Sequence, residues 1–164
     1  RKSHLFMREP EWFQPGDSGP VLAEWRGVKL GLGICLDHFY PEYWRCLALA
    51  GADIFCLPAN LVTDNGQPGM NVRSRENRVF GIIANRTGEE RGISFCGRSQ
   101  IISPRGGILA ELREATGIMS AEIEIEQARD KYLLEADGVR YNHLLQGRRP
   151  EIYAMKPRIE RLDP

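Results

Sequence analysis

The sequence predicts an α/β layered domain, and three observations lead there. The runs "ADIFCLPAN" (52–60) and "GIIANRTG" (81–88) read as buried strands, the first apolar on both faces as parallel sheets covered by helices require. Helix-patterned segments lie between and around them, giving strand–helix–strand–helix–strand order. The chain has 164 residues, 42% of them hydrophobic, enough for one core that buries roughly two thirds of the unfolded surface.

Residues 11–20, "EWFQPGDSGP", carry two Pro and two Gly around an Asp-Ser pair and predict a loop. "PVLAEW", the turn "RG" and "VKLGLGICL" predict two strands joined by a tight connection. Residues 41–51, "PEYWRCLALAG", open on Pro and an early Glu and close on Gly, the punctuation of a short helix. After the polar loop "LVTDNGQPG", the stretch "MNVRSRENRVF" places Met70, Arg73, Asn77 and Phe80 at helical spacing. "GRSQIISPRGGILAEL" predicts a hairpin across Pro-Arg-Gly-Gly, and "GIMSAEIEIE" alternates like a strand with one solvated face. "EQARDKYLLEA" predicts a helix. The expected division is a domain over 1–136 and an extended basic-polar tail over 137–164.

Lys+Arg and Asp+Glu both total 22, so neither a nucleic-acid footprint nor a membrane-surface patch is expected. No apolar run reaches the roughly 18 residues of a membrane span. Cys35, Cys46, Cys56 and Cys96 form no CxxC pair, so neither a zinc site nor another metal is expected. Each sits in or beside an apolar segment, which suits reduced thiols and a cytoplasmic protein. The chain opens on "RKSHLF", without Met and inside a patterned segment, and is expected to be the later part of a longer polypeptide.

Cys35 is the residue that a core-filling strand does not explain. The apolar run delivers it and turns at once into Asp37, His38 and Pro41-Glu42. A buried free cysteine is more often a core residue than a nucleophile. This one sits where a strand ends and a turn leads into a helix, so backbone N–H groups can favour a thiolate and serve as an oxyanion hole. The amide of Leu36 is the natural first donor. Cys46, along a helix, and Cys56, mid-strand, lack that context and are expected in the core. A cysteine nucleophile needs a base and a charge stabiliser. His38 is the obvious base by residue type, although three residues on it can point along the loop away from the sulfur. Lys2 and Glu9 are the other ionisable candidates, and their spacing by itself suggests nothing catalytic.

Together "RKSHLF", "EPEWFQPGD", "GLGICLDHFYPE", "LALAGADIFCLPAN", "RSRENRVFGIIANRTGEE" and "GRSQIISPRGGILAE" resemble, in order and spacing, the carbon–nitrogen hydrolase (nitrilase) superfamily from residue 1 to about 132. "ARDK" and "RRPEIY" resemble its amidase-like branch. The resemblance implies part of a four-layer α-β-β-α sandwich, with the N-terminal portion absent. It also implies a Cys-Glu-Lys catalytic set without metal or organic cofactor. Cys35 matches the nucleophile of the "ICxD" block, and Lys2 matches the "RKxHL" lysine that stabilises the tetrahedral oxyanion. Glu9, four residues before Phe13, resembles the supporting glutamate, with Glu11 the weaker match. The general-base glutamate belongs to an earlier block, and no glutamate here maps onto it.

The implied activity is hydrolysis of a small amide or carbamoyl compound through a thioester acyl-enzyme, releasing ammonia or an amine. A nitrilase acting on nitriles is one alternative, and a catalytically inactive member serving as an assembly subunit is another. A homodimer or larger homo-oligomer is implied. Asn60 would face the same rim as Cys35, or else cap the next turn. His38, Phe39 and Tyr40 occupy the loop where some relatives that hydrolyse N-carbamoyl amino acids carry paired arginines, so a neutral or partly apolar amide is expected. Arg73, Glu76 and Asn77 match a family helix block and are expected to brace the site as a buried polar network, with direct ligand contact the alternative. Two decoys are set aside: "GLGICL" lacks the third glycine of a dinucleotide loop, and the "NRT" sequon falls at a buried strand end.

Overall fold

The computed structural model describes residues 2–134 and 138–154. The chain separates into two compact units, one ending at Lys131 and the other beginning at Tyr132. The boundary expected at 136/137 lies in a stretch that includes residues outside those described.

The first unit is built on a six-stranded mixed sheet. β1 (Leu22–Trp25) and β2 (Val28–Leu32) form an antiparallel hairpin. Arg26 and Gly27 both take positive φ (50° and 76°) at its two-residue turn, the backbone that matches the strands' twist. Helix α1 (Pro41–Leu49) carries the chain over to β3 (Ile54–Ala59), and α2 (Gly66–Asn77) to β4 (Phe80–Asn85). β2, β3 and β4 pair in parallel. β5 (Thr87–Glu90) and β6 (Ile93–Cys96) form a separate hairpin. β7 (Ser99–Ile102) and β8 (Ile108–Leu112) then extend the sheet antiparallel beyond β4, in the order β1-β2-β3-β4-β7-β8. No helix among the described residues is long and apolar enough to cross a membrane.

The core explains why these segments fold as they do. α1 turns Tyr43, Trp44, Leu47 and Ala48 toward the sheet, a run of i, i+3/i+4 neighbours on one face. The Trp44 ring, fully buried, lies 4.9 Å from that of Phe55 on β3, and burying such a side chain contributes about 1.5–3 kcal/mol. Glycines on the β2 side make room for it: a methyl on Gly33 would stand 2.6 Å from the Trp44 indole. On the opposite sheet face Ile54 and Phe80 pack with Ala128 of α3 (Glu126–Arg129), flanked by Val28, Leu30, Cys56, Ile82 and Ile125.

Several expectations are corrected. α2 starts at Gly66, within the predicted polar loop, and ends at Asn77, where Arg78 turns left-handed (φ 50°). Phe80 is therefore the first residue of β4 and not part of a helix face. Residues 117–126 form no strand. Met119, Ala121 and Ile125 are half-buried while Ser120, Glu122, Ile123 and Glu124 are exposed, so the alternation is followed only in part and has no backbone partner to fix it. The helix expected over 126–136 stops at Arg129. Arg129 is drawn to Asp53 (3.2 Å) and the Gly27 carbonyl (2.9 Å), and Lys131 to the carbonyls of Asn77 (3.1 Å) and Arg78 (2.7 Å). These tertiary contacts outweigh local helix propensity. In the second unit β9 (Tyr132–Leu134), within the expected helix, pairs antiparallel with β10 (Arg140–His143), and α4 (Pro150–Tyr153) follows; β10 and α4 stand where an irregular tail was expected, and residues 155–164 of that tail lie outside the described residues. Cys46 is exposed and not in the core; Cys56 is half-buried, and burial pushes its thiol pKa up.

Candidate active site

The site begins at the end of β2. Ile34 is extended (φ −127°, ψ 118°), and Cys35 then takes φ +47° and opens a 3₁₀ turn over Cys35–Phe39. A left-handed backbone at a non-glycine residue costs about 1–2 kcal/mol, so the surroundings must hold it. The Asp37 carboxylate accepts the Ile34 N–H (2.8 Å), and the Asp37 N–H donates back to the Ile34 carbonyl (3.1 Å). Trp44 Nε1–H donates to the Asp37 carbonyl (2.8 Å), which ties the turn to α1. The Gly33 N–H reaches the Cys56 carbonyl on β3 (3.0 Å). Cys35 itself is half-buried.

A second arm carries Lys2 and Glu9. The Lys2 ammonium, only 13% exposed, donates to Glu9 Oε2 at 2.6 Å, and the same oxygen accepts the Phe6 N–H at 2.7 Å. Burial works to raise the Glu9 pKa, but the Lys2 hydrogen bond, the Phe6 amide and the Lys2 charge outweigh it, and the net shift is downward. The Gly16 N–H closes the loop on the Lys2 carbonyl (2.7 Å). Glu11 instead faces outward, paired with Arg8 at 2.8–2.9 Å.

One buried carboxylate joins the two arms. Asp37, fully buried, accepts the His4 N–H at 3.0 Å and His4 Nδ1–H at 2.7 Å on Oδ1, while Oδ2 takes Ile34. The His4 ring is stacked on Tyr40 (3.5 Å, 9°) and meets Tyr43 edge-on (6.0 Å). His4 lies two residues from Lys2 and Asp37 two from Cys35. The clip therefore ties the backbone two residues after Lys2 to the turn two residues after Cys35. Asp37 and His4 had no assigned role in the sequence reading. The available signal was an Asp three residues after an extended strand end, the spacing of a carboxylate that caps its own turn.

The remaining predicted residues are placed as follows. Leu36, half-buried, is the second residue of the 3₁₀ turn, where a helix start leaves N–H groups without a partner inside the helix. His38 is 4% exposed, and its Nδ1 meets the Cys35 carbonyl at 2.8 Å, so the ring nitrogen near Cys35 faces the backbone oxygen. Phe39 is largely exposed beside it, ring centres 4.2 Å apart. Asn60, exposed just past β3, shares the wall of an open groove of about 600 Å³ with Glu9, Phe6, Trp12, Phe13 and Phe95. Cys35 is not part of that wall. Behind the turn Arg73 pairs with Glu76 (3.0 Å), Asn77 donates to the Arg73 carbonyl (2.9 Å), and Arg45 on α1 reaches the Glu76 carbonyl (3.1 Å). At the sequon, the Asn85 amide nitrogen is held by the Gly97 carbonyl (2.6 Å).

Burial lowers the His38 pKa from its ordinary 6.5, and the Arg73 charge adds to this against the Cys35 carbonyl and Asp37. The unfolded chain therefore takes up this proton at a higher pH than the folded one. The His38 contribution to stability is present above 6.5 and is lost as pH falls below it toward the folded value. In urea melts between pH 7 and pH 5, His38→Asn should flatten the acid loss of stability relative to wild type; an unchanged slope would refute this.

A family model for carbon–nitrogen hydrolases matches residues 1–131. The chain belongs to the carbon–nitrogen hydrolase family. A nitrilase from Pyrococcus abyssi is 41% identical over 156 residues, covering 93% of this chain and 57% of the relative. An (R)-stereoselective amidase from Pseudomonas sp. is 33% identical over 131 residues, covering 77% and 47%. Among solved structures, an amidase from Nesterenkonia sp. AN1 superposes with a TM-score of 0.76 at 29% identity, over 93% of this chain and 55% of that one. A variant of that amidase carries the acetamide moiety of fluoroacetamide covalently on its active-site cysteine. The α/β fold is thus that of the nitrilase superfamily, and the chain spans about half the length of the relatives it matches.

Proposed function

We propose that the protein hydrolyses the C–N bond of a small neutral amide, with Cys35 as nucleophile. The observation that supports this reading is the His4–Asp37 clip, which ties the segment carrying the Lys2–Glu9 pair to the turn that opens at Cys35. The thiol of Cys35 gives up its proton to a general base and its sulfur attacks the amide carbon. Negative charge gathers on the former carbonyl oxygen. The Lys2 ammonium and the Leu36 N–H are the donors suited to it, in a setting where fixed charges act more strongly than in water. Glu9 keeps Lys2 oriented through their 2.6 Å contact. The C–N bond breaks as the nitrogen takes the proton and leaves as ammonia or an amine. Water then cleaves the thioester, releasing the acid and the free thiol. The base is a glutamate in the sequence block that precedes the "RKSHL" lysine in this family. General-base assistance of this kind contributes about 10²–10⁴-fold.

A neutral substrate fits the loop of His38, Phe39 and Tyr40, which offers no arginine pair for a carboxylate. Activity on nitriles is the second reading, favoured by the name of the Pyrococcus relative. A homo-oligomer in the cytoplasm is the expected setting.

The test uses protein expressed from its complete reading frame, offered matched aliphatic and aromatic amides and nitriles. Ammonia release should follow amide addition, and hydroxylamine should divert the acyl group to a hydroxamate. Ammonia from nitriles alone would replace the amidase reading with the nitrilase one. No turnover of any member of the panel would overturn both in favour of an inactive assembly subunit.

A further inference from the structure

His38 is a buried titratable group that the mechanism above does not use. Its Nδ1 lies 2.8 Å from the Cys35 carbonyl. A carbonyl only accepts, so Nδ1 carries the hydrogen. Nε2 is buried and has no hydrogen-bond partner among the described residues. A second proton there would sit on a buried nitrogen without a hydrogen-bond acceptor, where burial and the Arg73 charge outweigh the pull of Asp37. The ring is therefore a neutral Nδ1–H donor to the backbone of the nucleophile's own residue. It is also firmly seated: Phe39 packs against it at 4.2 Å, and Gly69 on α2 lies so close that a methyl there would touch His38 Cδ2 at 3.6 Å. The residue receiving this bond has φ +47°, a conformation that persists at non-glycine positions only when the surroundings over-determine it.

We propose that His38 is a positioning residue whose hydrogen bond to the Cys35 carbonyl holds the left-handed backbone on which the thiol is presented. This rests on Cys35 being the nucleophile. It assigns the histidine beside the cysteine to the geometry of the turn, without a share in the proton transfer. Asp37 fixes the residue before the strained position, through Ile34, and His38 fixes the strained residue itself. The start of α2 thereby supports the nucleophile through the imidazole.

The experiment compares His38→Phe, which fills the volume without a donor, and His38→Asn, whose amide N–H can replace Nδ1–H. Both are made in the protein expressed from its complete reading frame, beside Cys35→Ala. His38→Phe should lower kcat by about 10–100-fold with KM changed by less than about twofold, and slow alkylation of Cys35 by iodoacetamide in parallel. His38→Asn should recover most of both. The acid limb of its kcat/KM profile should coincide with wild type, because His38 moves no proton. If His38→Phe does not fold, His38→Leu serves in its place with the same expectation. A donor-free variant with wild-type kcat, or His38→Asn no better than that variant, would overturn the proposal. Loss of the acid limb in His38→Asn would overturn it too and make His38 the base. Turnover surviving in Cys35→Ala would overturn the nucleophile assignment itself. An inactive Cys35→Ala beside a fully active His38→Phe would remove the positioning role alone.

Discussion

Cys35→Ala should abolish amide hydrolysis, lowering kcat by a factor on the order of 10⁴ or more, since loss of a covalent nucleophile removes the acyl-enzyme route altogether. The change is small in structural terms. It deletes one sulfur from a half-buried site and leaves intact the bonds that define the turn, which run through the Asp37 carboxylate, the Trp44 indole and the Cys35 carbonyl. The unfolding midpoint should stay within a few degrees of wild type, a shift equivalent to about 1 kcal/mol or less. Cys46→Ala is the matched control: Cys46 is exposed on α1 and outside every contact of the site. It should keep full turnover. Treatment with iodoacetamide should inactivate the wild type and the Cys46→Ala protein alike. Turnover by folded Cys35→Ala would remove the thioester mechanism.

Much of the site's framework was legible in the sequence because it rests on local signals. The β2–α1–β3 unit announces itself through an apolar run, a Pro-Glu helix start and a second apolar run, and the structure has those elements at Val28–Leu32, Pro41–Leu49 and Ile54–Ala59. The turn at Cys35 was legible because apolar residues give way there to Asp37 and His38. The contacts that make the turn usable were hidden, since they join residues far apart in sequence. His4 and Asp37 are 33 positions apart, and neither position carries a pattern that names the other. The same limit explains residues 117–131, where alternation and helix propensity pointed to a strand and a long helix that the chain does not form. Asp53, Gly27 and the C-terminal carbonyls of α2 decide the backbone path there. Cys46 shows the limit in reverse: its place on an amphipathic helix was legible, but which side faces solvent was set by Trp44 and Leu47.

Asp37→Ala should be the most disruptive change that leaves every reacting group in place. The carboxylate is fully buried and satisfies three donors: the Ile34 N–H, the His4 N–H and His4 Nδ1–H. Each buried donor left unpaired costs about 1–3 kcal/mol. The His4 side chain is 30% exposed and can turn to water, so the two part-buried backbone groups set the loss, up to about 2–6 kcal/mol in all. His4→Ala removes only its own imidazole and the Tyr40 stack and should cost about 1–2 kcal/mol. Because both changes cut the same clip, the double variant should be less destabilised than the sum of the singles by roughly 1 kcal/mol. Activity should fall further than stability explains, since Lys2 and Cys35 lose their shared anchor; kcat measured well below the unfolding midpoint separates the two effects. Additive stabilities, or a folded Asp37→Ala protein with wild-type kcat, would mean that the lysine arm reaches the cysteine turn by some other support.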